Sequence, residues 1–147
     1  LWVFLTSVAA VTAITSRKII EPDLFLYIGS FLWVFGFLFE SIADYQKRKF
    51  RSENKNKFIQ SGLWSVSRHP NYFGEIVLWF GIALIAFPTL VGPQYVSLIS
   101  PLFVYLLLTR VSGVHILEKH ADDTWGKKKD YKAYKEKTPV LFPKIFK

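Results

Sequence analysis

The chain contains no cysteine, which excludes disulfides, thiolate metal sites and a catalytic thiol. Acidic residues are scarce: 11 Asp and Glu stand against 19 Lys and Arg, giving a formal net charge of +8. Charge of either sign is missing from four runs, Leu1 to Thr15, Leu24 to Phe39, Ile76 to Val91 and Tyr95 to Thr109. Glycine and proline are absent from Glu40 through Ser61, so nothing there interrupts a helix. There is no repeat, no low-complexity tract and no signal-peptide pattern. No zinc-finger or RNA-recognition pattern accompanies the basic residues, which excludes nucleic acid as the expected partner.

What is present points to a lipid solvent. At 51% apolar and 18% aromatic, the composition is too hydrophobic for a soluble domain of 147 residues. A hydrocarbon core needs roughly 20 apolar residues to span it. Each run reaches that length when extended into flanks carrying Trp2, Trp33, Tyr45, Trp64, Tyr72, Trp79, Tyr95 and Tyr105, whose rings favour the membrane interface. Helices buried in a soluble bundle would show a polar stripe, and these runs do not. The fold class expected is therefore all-α: a polytopic transmembrane bundle with about four spans, forming a single domain over residues 1–147. Because the chain begins at Leu1 inside an apolar run, it reads as the carboxyl-terminal portion of a longer protein.

Charge placement orients the spans. Lys47, Arg48, Lys49, Arg51, Lys55, Lys57 and Arg68 crowd the connection between the second and third runs, and nine lysines follow the fourth. Between the first and second runs Arg17 and Lys18 are set against Glu21 and Asp23, while "PTLVGPQ" between the third and fourth carries no charge. Positive loops stay inside, so both basic regions are expected at the cytoplasmic face. The second helix should continue past the membrane by two or three turns. After the fourth run, one short helix, a break at Gly126 and a second short helix are expected on the cytoplasmic side.

Three polar clusters emerge on that side. Glu40, Asp44, Lys47 and Arg51 are spaced by four, three and four, which stacks them on one helical face. In "GLWSVSRHPNYFGE", Pro70 suits the first helical position, leaving His69 as the cap. Asn71 and Glu75 then share a face on the first turn, with Arg68 and His69 just outside and Trp64 and Tyr72 as amphipathic plates. Headgroup anchoring accounts for Arg68, Trp64 and Tyr72 but not for Asn71 and Glu75. A helix amino terminus with a nearby guanidinium suits an anion. The third cluster is Glu118, followed by Tyr131 and Tyr134. Polar groups from the three clusters are expected to line one cavity reached from the cytoplasm, with membrane lipids around the bundle.

These motifs carry a resemblance. "E-x-x-x-D-x-Q-K" from Glu40, "GLW-x-x-SRHPNYFGE" from Gly62, and "SG-x-x-x-LEK…Y-x-x-Y-x-x-x-TP" from Ser112 resemble the carboxyl-terminal domain of the steroid 5-alpha-reductase family, in particular its bacterial and protist branch, DUF1295. The central "RHPNY-x-G-E" is similar to motifs in sterol reductases and in isoprenylcysteine carboxyl methyltransferases. The resemblance implies an integral membrane oxidoreductase that binds NADPH and reduces the carbon–carbon double bond of a 3-oxo steroid or similar enone lipid. It implies that Asp44, Arg51, Asn71 and Glu75 contact the cofactor, that Trp64, Arg68, His69 and Tyr72 form the motif core, and that Glu118, Tyr131 and Tyr134 close the pocket. Segments 40–75 and 112–139 would then be the cofactor-site segments. In the family the groups that polarise the enone carbonyl come from earlier spans, so no catalytic acid is assigned, and no metal is expected. The alternatives are an S-adenosylmethionine-dependent methyltransferase of a lipidated carboxylate and a non-enzymatic membrane scaffold. The membrane would be the endoplasmic reticulum in a eukaryote and the inner membrane in a bacterium.

Overall fold

The computed structural model describes residues 2–16 and 21–144. Arg17 and Lys18, part of the orientation argument, lie outside the described residues. The described residues are helical, with no strand: α1 Trp2–Thr15, α2 Leu24–Glu53, α3 Pro70–Ala86, α4 Ile99–Leu106, α5 Val114–Trp125 and α6 Lys129–Lys137. Short 3-10 turns occupy Gly62–Ser65, Phe87–Thr89 and Gly92–Leu98, and a π-turn covers Leu107–Val111. The all-α expectation holds. Three helical stretches are long and apolar enough to cross a membrane: Leu24–Glu53, Pro70–Thr89 and Gly92–Trp125. The apolar helix Leu5–Thr15 is shorter.

The chain forms two compact units, the first from Leu1–Phe37 with Glu75–Leu107 and the second from Leu38–Gly74 with Leu108–Lys147. In the first, alanines are buried with Leu90 and Val104, while many large apolar side chains lie outside. Ala9, Ala83 and Ala86 are buried, whereas Phe31, Val34 and Phe35 on α2 are exposed. This is the arrangement expected where lipid is the solvent, since apolar exposure is then not penalised and close backbone packing holds helices together. Gly29 of α2 and Gly81 of α3 meet directly: a Cβ on Gly29 would lie 2.7 Å from the Gly81 carbonyl oxygen. The Ser16 hydroxyl donates to the Thr89 carbonyl at 2.8 Å, and the Ser100 hydroxyl donates to that of Thr6.

The second unit is built around backbone pairing between two distant segments. The amides of Arg68 and His69 donate to the carbonyls of Pro139 and Val140 at 2.9 and 3.1 Å, and the Lys144 amide donates to Val66 at 3.0 Å. The Ser67 hydroxyl donates to the Leu141 carbonyl at 2.8 Å. Residues 138–144 thus form an extended strap along the turn that precedes α3. Phe73 supports it from below, with its ring edge-on to Phe39 at 5.4 Å and to Phe142 at 6.1 Å. α3 begins at Pro70, as its missing N–H predicts, and the Phe73 amide reaches the His69 carbonyl at 3.2 Å.

Candidate functional site

The site lies within the second unit. Gly62 has φ +61°, and a Cβ there would fall 2.5 Å from the Gln46 side chain. Gln46 can approach because of that absence, and its Oε1 accepts the Leu63 amide at 2.9 Å. The 3-10 turn is thereby fixed to α2 and delivers Trp64, which is only 4% exposed. The indole Nε1–H donates to the Ala43 carbonyl at 3.0 Å, and Lys47 Nζ sits 4.7 Å from the indole centroid, a cation–π contact. From the other side the Tyr134 hydroxyl donates to the Trp64 carbonyl at 2.6 Å.

An ionic cluster joins the turn to α5 and α6. Glu118 Oε1 lies 2.8 Å from His69 Nε2, while its Oε2 lies 3.2 Å from an Arg68 guanidinium nitrogen and 3.6 Å from Lys135 Nζ. Lys135 also binds Asp122 at 2.6 Å, and Tyr131 donates to the same carboxylate at 3.3 Å. The Phe58 ring is packed among Trp125, Tyr131 and Tyr134, with centroids 5.8, 5.2 and 5.6 Å away. Burial pushes the Tyr131 phenol up to about 12 and raises that of Tyr134 as well, so both remain neutral hydrogen-bond donors at physiological pH.

These groups enclose a cavity of about 140 Å³. Of the residues expected at the site, Arg51, Trp64, Arg68, His69, Glu118, Tyr131 and Tyr134 line it. Asp44, Asn71 and Tyr72 do not. Tyr72 instead stacks on His69, with centroids 5.7 Å apart and planes 9° from parallel, and packs against Gly113. Asn71 is half-buried, with its Oδ1 unpartnered among the described residues. Glu75 belongs to the first unit. Lys47, stacked with Arg51 in the first polar cluster, lines it as well, and the cavity also recruits Phe58, Trp125 and His120, none of which the sequence singled out as site residues. Phe58 had one available signal, as an aromatic in the polar stretch "NKNKFIQ". Lys135, which bridges Glu118 and Asp122, had none.

The wall chemistry suits part of a nucleotide. Lys47, Arg51, Lys57 and Arg68 bring cations, Trp64 and Phe58 bring flat surfaces, and Arg68 Nε and His69 Nδ1 are buried with no hydrogen-bond partner. Such orphaned groups are costly unless a ligand satisfies them. Cavities that bury a whole drug-sized ligand run to roughly 300–1,000 Å³, so this one has room for only part of such a ligand. Among the described residues no group of three or more His, Cys, Asp or Glu side chains could hold a metal ion.

Two segments of the chain are similar to curated proteins. One is 36% identical over 63 residues to the "Probable 7-dehydrocholesterol reductase" of Acanthamoeba polyphaga mimivirus, covering 31% of this chain and 14% of that protein. The other is 40% identical over 58 residues to the "3-oxo-5-alpha-steroid 4-dehydrogenase 1" of Bos taurus, covering 38% and 23%. The chain thus corresponds to less than a quarter of either relative. No solved structure matches it. Residues 1–138 match the family described as Protein of unknown function (DUF1295), and the chain belongs to that family.

Proposed function

We propose that the chain is the cofactor-holding part of an integral membrane reductase that uses NADPH to reduce the carbon–carbon double bond of a 3-oxo steroid or similar enone lipid. The observation that carries this reading is the cavity of the second unit, lined by Lys47, Arg51, Lys57 and Arg68 and by the rings of Trp64 and Phe58, with two nitrogens of the "RHP" turn buried and orphaned. The names of both relatives, a sterol reductase and a steroid dehydrogenase, support the reaction class. NADPH would supply the hydride, with Lys47, Arg51 and Lys57 meeting its phosphates and the Trp64 and Phe58 faces flanking a ring. Tyr134 holds Trp64 through the backbone. Asp44, Asn71 and Glu75 remain part of the proposal as cofactor contacts, as does the reading of residues 1–147 as one transmembrane domain with segments 40–75 and 112–139 facing the cytoplasm.

Titration of the detergent-solubilised protein with NADPH, NADH and S-adenosylmethionine tests the assignment. NADPH is expected to bind tightest, and Arg51→Ala to weaken it by roughly tenfold through loss of one phosphate contact. Binding of the methyl donor alone would turn the assignment to a methyltransferase, and binding of none of the three would favour a scaffold.

A further inference from the structure

Glu118 differs from the other walls of the cavity in that its oxygens are already engaged. His69 Nε2 approaches Oε1 at 2.8 Å, and Arg68 and Lys135 approach Oε2 at 3.2 and 3.6 Å. An ionised carboxylate only accepts hydrogen bonds, and three donors leave it little to offer a ligand. Without those cations its charge would repel a phosphate. Arg68 and His69 are only partly engaged: both line the cavity, and beside the nitrogens bound to Glu118, Arg68 Nε and His69 Nδ1 are buried without a partner.

We propose that Glu118 is a positioning residue that holds the Arg68 guanidinium and the His69 imidazole side by side and does not itself touch the ligand. This rests on the nucleotide-binding reading above. A carboxylate accepting at Nε2 keeps a ring hydrogen there, so in the neutral ring Nδ1 is a bare acceptor and in the protonated ring it is a donor. Arg68 Nε–H is always a donor. With the neutral ring, the ligand group that satisfies both carries an acceptor and a donor together, as a ribose hydroxyl or a primary carboxamide does. Lys135, tied in turn to Asp122 at 2.6 Å, links this holder to α6.

A double-mutant comparison separates holding from touching. Glu118→Ala is expected to weaken NADPH binding, read by tryptophan fluorescence, by about tenfold in the wild-type background, but by less than about twofold once Arg68→Ala and His69→Ala are present. The same loss in both backgrounds means direct contact and overturns the proposal. Nitrogen-15 NMR of histidine-labelled protein gives a readout independent of nucleotide. The His69 signal, assigned by its disappearance in His69→Gln, is expected as the Nε2–H tautomer and as a mixture in Glu118→Gln. An Nδ1–H tautomer in the wild type overturns the proposal even where a variant misfolds. Absent NADPH binding with the Nε2–H tautomer intact overturns the nucleotide reading and leaves the Glu118 role standing.

Discussion

At Gly62 and Gly92 the backbone is left-handed, with φ +61° and +53°, a conformation that costs a side chain roughly 1 kcal/mol. Their surroundings differ. A Cβ on Gly92 meets nothing within 4 Å, whereas on Gly62 it meets the Gln46 amide, which cannot retreat without releasing the Leu63 amide. Gly92→Ala is therefore expected to destabilise by about 1 kcal/mol and Gly62→Ala by about 2–3 kcal/mol, since the latter also loses a hydrogen bond. Unfolding in detergent measures both, and equal losses would mean that the Gln46 contact contributes nothing. The sequence announces such local demands where a single residue type answers them. Pro70 announces the start of α3 in this way, because its ring fits only where an N–H is dispensable. The role of Gln46 was illegible, since a glutamine in a charged helix carries no sign of a partner 17 positions away.

Among the elements, the helices were the legible part. The absence of Gly and Pro after Glu40 predicted the long extension of α2, which reaches Glu53. The break at Gly126 separates α5 from α6 as expected. The strap at 138–144 was illegible, because main-chain pairing leaves no side-chain pattern in the sequence. Its importance is nevertheless local and testable. Truncation after Lys137 removes the carbonyls of Pro139, Val140 and Leu141 and leaves the Arg68 amide, the His69 amide and the Ser67 hydroxyl to find other partners. Each unsatisfied buried donor costs about 1–3 kcal/mol. The truncated protein is expected to show red-shifted Trp64 emission and rapid proteolysis within residues 62–70, while α1 to α3 keep their helical circular dichroism. Unchanged emission and cleavage would show the strap to be dispensable.

For the whole molecule the decisive quantity is charge placement. The cationic residues of 46–62 and 112–139 are expected on one side of the membrane, so cysteines introduced singly at Lys55 and Lys132, both exposed, should react with an impermeant maleimide from the same face. Reaction from opposite faces would dismantle the shared-pocket proposal. Composition made the membrane class legible and the motifs brought Arg68, His69 and Glu118 to one expected cavity, but the ion pairs that join them to one another and to Lys135 were not legible, because pairs between distant segments leave no periodic trace. The position of the strap also has a temporal meaning. Every wall of the cavity precedes residue 138 in the chain, so a ribosome has already produced Trp64, Arg68, Glu118 and Tyr134 before the segment that pairs with the Arg68 and His69 backbone emerges. A nascent polypeptide halted after α6 would carry every side chain that lines the cavity while the Arg68 and His69 amides still lack their partners.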